Sequence, residues 1–197
     1  MKDIAMVIAG VGGQGVITAT TIIGYAALKS GLNAISSEVH GMAQRGGIVT
    51  VDMRIGTKRS PLIGKGEADI ILGFEPVEAY RAMEKLKKNG IMIVSTNPII
   101  PFTVGIGVEK YPDLKELLND MRKKIERVVE IDALSLAKKA GNPSGLNMVM
   151  IGAASKYLGI PAENFEEVIR DYFPDRFVEA NLKAFRLGRE AVNNDRI

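Results

Sequence analysis

Both glutamines of this 197-residue chain lie in its first quarter, each inside a glycine-rich motif. Gln14 sits in Gly10-Val11-Gly12-Gly13-Gln14-Gly15. Gln44 sits in Ser37-Glu38-Val39-His40-Gly41-Met42-Ala43-Gln44-Arg45-Gly46-Gly47, which also holds the only histidine. Glycines let a ligand approach the backbone closely. In the first motif Gly12, Gly13, Gln14 and Gly15 open a helix, whose free N–H groups attract an anion. The second gathers an acid, an imidazole, an amide and a guanidinium in Glu38, His40, Gln44 and Arg45, followed by Gly46. Arg45 can grip a carboxylate or phosphate with two parallel hydrogen bonds, and His40 can titrate near neutral pH. The same groups can equally form an internal network, Glu38 with Arg45 or His40, that only shapes a loop. No nucleophile or metal-binding group accompanies them, so no catalytic residue is expected on this chain alone.

Elements must hold these motifs in place. Ile4–Ala9 is an apolar run ending in glycine, a buried strand. Val16–Leu28 carries no charge and is rich in Ile and Ala, so it reads as a helix packed on both sides and ended by Ser30-Gly31. Asn33–Ser37 is a short second strand. Strand, glycine turn, helix and strand begin a doubly wound, Rossmann-like half, with the second motif on a loop or short turn beyond it. Ile48–Ile55 alternates polar and apolar residues and starts directly after Gly46-Gly47, leaving no room for a helix. It is expected at or near a sheet edge and as the candidate antiparallel strand of a mixed, mostly parallel sheet.

Further strands, Ala68–Phe74, Ile91–Ser95 and Val128–Ile131, alternate with helices. One starts at Pro76, and Lys85-Leu86-Lys87-Lys88-Asn89-Gly90 reads as its stop. Others cover Asp113–Arg127 and Asp132–Ala140. Leu146–Leu158 is apolar and expected to be buried, against the core or a partner. Pro161–Tyr172 and Asp175–Val192 are the last helices, the latter with Phe177, Asn181, Ala184 and Gly188 on one face. With no linker or repeat, residues 1–197 read as one α/β domain.

Composition excludes several functions. The net charge of +3, from 26 basic less 23 acidic residues, is too mild and too dispersed to argue for nucleic acid. With no cysteine there is no disulfide, no thiolate nucleophile and no ligand set for an iron–sulfur cluster. One histidine rules out a His-rich metal site. Ile4–Ala9 is too short for a signal core, and no apolar run approaches the roughly 18 residues a membrane span needs. A cytoplasmic protein away from membranes is expected. Gly10-x-Gly12-x-x-Gly15 leaves open a nicotinamide dehydrogenase or a nucleotide-binding module, with Glu38 as the one candidate for the ribose hydroxyls.

The two motifs together resemble the gamma-type domain of the 2-oxoacid:ferredoxin oxidoreductases, and the stretch Ser37–Gly47 most resembles the small beta subunits of the indolepyruvate branch. Further matching stretches are Ser60-Pro61-Leu62-Ile63, Gly73-Phe74-Glu75-Pro76, Gly141-Asn142-Pro143 and Asn147-Met148, so the likeness runs from about Ile4 to about Gly188. The resemblance implies a three-layer α/β/α sandwich. It implies a subunit of a complex that oxidatively decarboxylates an aryl pyruvate with coenzyme A and ferredoxin. Pyruvate and branched-chain oxoacid gamma subunits are the alternative branch. Thiamine diphosphate, magnesium and 4Fe-4S clusters would belong to a large alpha subunit, none of them bound by this chain alone. By the same resemblance Gly12–Gly15 and Glu38–Gly47 approach the partner's active site and its coenzyme A region.

Overall fold

A computed structural model describes residues 3–40, 47–57, 60–100 and 110–193, with the side chains of His40 and Asn193 outside that description. Six strands form one mixed sheet in the order β2-β3-β1-β4-β5-β6. They are β1 (Ile4–Val11), β2 (Ala34–His40), β3 (Ile48–Ile55), β4 (Ala68–Gly73), β5 (Leu86–Ser95) and β6 (Val128–Ile131). The helices are α1 (Val16–Lys29), α2 (Pro76–Ala82), α3 (Leu114–Lys124), α4 (Ala133–Ala140), α5 (Leu146–Ser155), α6 (Ala162–Tyr172) and α7 (Asp175–Asn193). β1, β4, β5 and β6 run parallel, and β3 is antiparallel to both β1 and β2.

The strand period of two sorts side chains to opposite faces. Met6, Ile8, Ile70, Leu72, Ile91 and Ile93 meet α1, α4, α5, α6 and α7 on one side. Ala5, Val7, Ala9, Ile71, Met92 and Val94 meet α2 and α3 on the other. Helices on both faces of a largely parallel sheet make the three-layer α/β/α sandwich.

Four expectations are corrected. The second strand continues through Glu38 to His40 instead of ending at Ser37, because β3 pairs with it along its whole length, Ala34 with Ile55 through to His40 with Val49. Glu38 and His40 are therefore strand residues, not loop residues. β1 and β2 are not neighbours, since β3 fills the place between them. Lys85–Gly90 is not a helix stop. α2 ends at Ala82, a 3-10 turn covers Met83–Lys85, and β5 begins at Leu86. Lastly, α1 is packed on one side only, with Tyr25 and Leu28 exposed.

Leu146–Leu158 packs into the core: Lys156 is exposed, whereas every residue of α5 from Asn147 to Ser155 is buried. Its partner α7 crosses at backbone contact. A Cβ on Gly152 would lie 2.0 Å from the Phe185 carbonyl oxygen, and one on Gly188 would lie 1.9 Å from that of Val149. Asn181 and Ala184 share the buried face with Gly188, whereas Phe177 is exposed.

Candidate functional site

The chain from β1 crosses to one side of the sheet and β4 lies on the other, so the topology switches between β1 and β4. In open α/β sheets ligands bind beyond the strand C-termini at such a point. The first motif stands there. The Gln14 side chain spans the switch: its Oε1 accepts from the Val11 N–H at 2.9 Å and its Nε2 donates to the Phe74 carbonyl at 2.8 Å. Beside it the Phe74 N–H donates to the Ala9 carbonyl at 2.8 Å. Gln14 is buried, so its amide clamps β1 to the end of β4. The amide serves packing of the turn, because two buried backbone groups would otherwise lack partners.

The described ends of the second motif reach the first on β2 and at the root of β3. Gly12 N–H donates to the Gly47 carbonyl at 2.9 Å, joining the glycine turn to the root of β3. His40 pairs with Val49, which in turn pairs with Gly10. Glu38 is exposed on β2, level with Val51 and Ile8. It stands two strand spacings from β1, about 10 Å, which does not suit the ribose-binding role a dinucleotide fingerprint requires. Gln44, Arg45 and Gly46 lie outside the described residues.

Electrostatically the turn favours an anion. Gly15 is the N-cap of α1 in a left-handed conformation, with no side-chain cap and no acid in the first turn. α5 begins at Gly145, likewise without a side-chain cap or an early acid. The two helix starts meet: a Cβ on Gly15 would lie 2.5 Å from Asn147 Nδ2. Positive partial charge at two helix N-termini thus converges beside exposed Gly12 and Gly13.

The neighbouring strand ends are tied down by residues given no role from sequence alone. Glu75, 2% exposed, caps α2 by accepting from Val77 N and Glu78 N at 2.8 and 3.0 Å. Its other oxygen accepts from the Tyr111 hydroxyl, whose phenol is held above its usual range by burial and by that carboxylate. Asn97 donates to Asp132 Oδ1 at 2.9 Å and accepts from Leu134 N at 2.9 Å, linking the ends of β5 and β6. Hydrogen bonds from Ser135 and Asn97 hold the Asp132 carboxyl below its usual value. Asn97 and Glu75 each stand before a Pro and Asn147 before a Met in the sequence; their joint position follows only from the fold. Among the described residues no group of three or more His, Asp or Glu is placed to hold a metal ion.

The turn sorts its glycines by conformation. Gly13 has φ +100° and Gly15 φ +76°, whereas Gly12 is not in that region. Gly12→Ala is therefore expected to change unfolding free energy by less than about 0.5 kcal/mol, and Gly13→Ala to cost about 1 kcal/mol or more. Urea titrations of the two variants check this ordering.

Beside the hairpin, a cavity of about 280 Å³ lies between Val39, Ile48 and Thr50 of the sheet and Glu78 and Arg81 of α2. Burial raises the Glu78 carboxyl above the ordinary 4.5, with Glu75 adding to the rise and Arg81, at 2.6 Å, opposing it. A raised carboxyl favours the folded state fully below its unfolded value, and that contribution fades as pH rises through the folded value. Melting temperatures of Glu78→Gln and wild type, taken from about pH 4 to about pH 8, should diverge in the variant's favour as pH rises.

The Archaeoglobus fulgidus protein named indolepyruvate oxidoreductase subunit IorB is 44% identical over 185 residues, covering 93% of this chain and 92% of that one. Its namesake from Pyrococcus horikoshii is 43% identical over 196 residues, covering 98% and 97%. Among solved structures, pyruvate oxidoreductase subunit PORC of Thermotoga maritima superposes with a TM-score of 0.71 at 24% identity, over 96% of this chain and 97% of that one. The 2-oxoglutarate:ferredoxin oxidoreductase of Magnetococcus marinus, solved with 2-oxoglutarate, coenzyme A and succinyl-CoA, gives 0.73 at 23% identity, over 98% of this chain but 31% of the longer one. These last two show the shared fold. Residues 5–191 match the pyruvate ferredoxin/flavodoxin oxidoreductase model, and the chain belongs to that family.

Proposed function

We propose that this chain is the small subunit of an indolepyruvate:ferredoxin oxidoreductase, acting as one cytoplasmic domain within a larger complex. The observation that carries the reading is 44% identity to an indolepyruvate oxidoreductase subunit over nearly the full length of both chains. A pyruvate/ketoisovalerate oxidoreductase gamma subunit, at 31%, stands further off, which favours the aryl pyruvate branch. The reaction of that branch converts an aryl pyruvate and coenzyme A to an aryl-acetyl-coenzyme A and carbon dioxide, and the electrons pass to ferredoxin.

The residues present do not fit an iron–sulfur cluster, since the chain has no cysteine. Clusters and thiamine diphosphate with magnesium belong, in this reading, to a large partner subunit. Coenzyme A is different. Its phosphates suit the converging starts of α1 and α5, and exposed Gly12 and Gly13 leave room for close approach. Gly12–Gly15 and the hairpin carrying Glu38, His40, Gln44, Arg45 and Gly46 would then form one wall of the coenzyme A region, with Arg45 on a phosphate. Among the described residues no helix is long and apolar enough to cross a membrane.

Affinity purification from the native host tests the reading. The expected result is a co-purifying large chain bearing thiamine diphosphate and clusters, with indolepyruvate- and coenzyme A-dependent ferredoxin reduction. Purification of the chain without such a partner would refute it. In the reconstituted complex, Arg45→Lys is expected to raise the coenzyme A requirement and leave the oxoacid dependence unchanged. A fall in both together would place Arg45 against the partner instead.

A further inference from the structure

Asn147 is the second residue of α5 and only 9% exposed. Its Oδ1 accepts from the Met148 N–H at 3.0 Å. That bond fixes how the amide is turned, because only its oxygen can accept. The nitrogen therefore faces the glycine turn, 2.5 Å from the point a Cβ on Gly15 would occupy. There it donates to no group among the described residues. It is not sealed off either: the sealed side-chain atom without a partner among them is Arg54 Nε. A buried donor that has lost water and gained no acceptor is a cost that a ligand can remove. Room for one is at hand, since nothing lies within 4 Å of the point a Cβ on Gly13 would take. More donors stand beside it. Ala19 N is the first α1 amide to find its helical acceptor, the Gly15 carbonyl at 2.9 Å, so those of Val16, Ile17 and Thr18 have none within the helix. From Ile4 to Leu28, and again from Gly141 to Ser155, no residue carries a charge. The donors assembled by these two segments are therefore all neutral.

We propose that Asn147 is a ligand-binding residue, whose Nδ2 and the free N–H groups at the start of α1 together hold one phosphoryl group of a diphosphate ester. The inference rests on the coenzyme A reading above and adds which side chain binds and which phosphate it binds. The groups named are all N–H donors, so the occupant must supply acceptors and cannot be a cation. Coenzyme A offers two kinds of phosphate, a diphosphate and a ribose monoester. A monoester carries about −1.5 to −2 charges at pH 7 and calls for Arg or Lys. Each phosphoryl of the diphosphate carries a single negative charge. The start of a helix, worth about half a positive charge, can hold such a group with neutral donors alone. Gly15 permits the arrangement, because any side chain there would take the place of the Asn147 amide.

The test is calorimetric titration of the reconstituted complex with coenzyme A and with dephospho-coenzyme A, which keeps the diphosphate and lacks the monoester. Asn147→Asp retains an oxygen for the Met148 N–H and places an acid in the first turn of α5, where the helix favours it. Its other oxygen would face the phosphoryl group with like charge. The dissociation constants of both ligands should rise at least about tenfold, while the indolepyruvate requirement stays as in wild type. Asn147→Ser is too short to reach the turn and should raise both constants roughly fivefold. It carries the test if the carboxylate disturbs folding. Unchanged affinity in folded variants overturns the proposal. So does a loss for coenzyme A that dephospho-coenzyme A does not share, because Asn147 then meets the monoester. A rise in the indolepyruvate requirement with coenzyme A affinity intact also overturns it, since the occupant is then the oxoacid carboxylate. If the wild-type complex itself binds no coenzyme A, the proposed function falls and takes this inference with it, an outcome distinct from failure of the variants alone.

Discussion

Gly188→Ala is expected to lower the unfolding free energy by about 3 kcal/mol, the upper end of the usual cost of overpacking. The added methyl would stand 1.9 Å from the Val149 carbonyl oxygen and 2.9 Å from its Cα. Those atoms belong to the backbone of a buried helix and cannot rotate aside. α7 must lift from α5, loosening the stacked Phe165–Phe185 pair, whose centroids are 5.5 Å apart. Gly152→Ala strikes the same crossing from the other side, at Phe185. Once the helices have separated for one methyl, the second meets less resistance. The double variant should therefore cost less than the two singles together. Urea unfolding of the three proteins measures both points, and additive costs would mean that each helix yields locally.

Gln14→Leu is the second large effect, an expected loss of about 3 kcal/mol from two buried backbone groups left without partners. Those groups are the Val11 N–H and the Phe74 carbonyl. Leucine fills similar space but offers neither an acceptor nor a donor. Gln14→Glu tests the chemistry more finely. A carboxylate can still accept from Val11 but faces the Phe74 oxygen with negative charge, while the protonated acid can donate to it. The introduced carboxyl is therefore raised in the fold, and the variant's stability should fall as pH rises through that raised value. Circular dichroism melts across mildly acidic pH would show this slope in Gln14→Glu and not in Gln14→Leu. Turnover of the reconstituted complex should follow the folded fraction if the amide acts only as a clamp.

That clamp also marks a boundary of what sequence reveals. Gln14 is conspicuous in the chain, yet its acceptor is Phe74, sixty positions on, and no local pattern connects them. β1 was legible because its residues are apolar in a run ending in glycines, β6 because Val128, Val129 and Ile131 are β-branched residues just before Asp132, and α4 because Asp132 caps its start and Gly141 its end. Lys87-Lys88-Asn89-Gly90 misleads for the opposite reason. β4 and β5 pair at Ala68–Leu86 and again at Ile70–Ile91, with an irregularity between that accommodates the extra residues. Lys87 bonds Asp69 at 2.6 Å across that pair. Tertiary pairing overrides weak strand propensity there, as it does at Ser36-Ser37-Glu38 against β3. Of the candidate site, the meeting of the two glycine motifs could be suspected from their shared oddity. The hydrogen bond between Gly12 and Gly47 and the contact of Gly15 with Asn147 could not.

The placement of β3 between β1 and β2 has a consequence for how the molecule assembles. Without β3, β1 and β2 would face each other across a lane one strand wide. Neither strand can satisfy its facing amides until the chain doubles back and threads β3 down that lane, bonding Ile4 to Ile55 on one flank and Ala34 to Ile55 on the other. β3 alone supplies the partners of both ladders. The amide protons of β1 and β2 that face it should accordingly depend for their protection from solvent exchange on one strand, which begins at Gly47's neighbour.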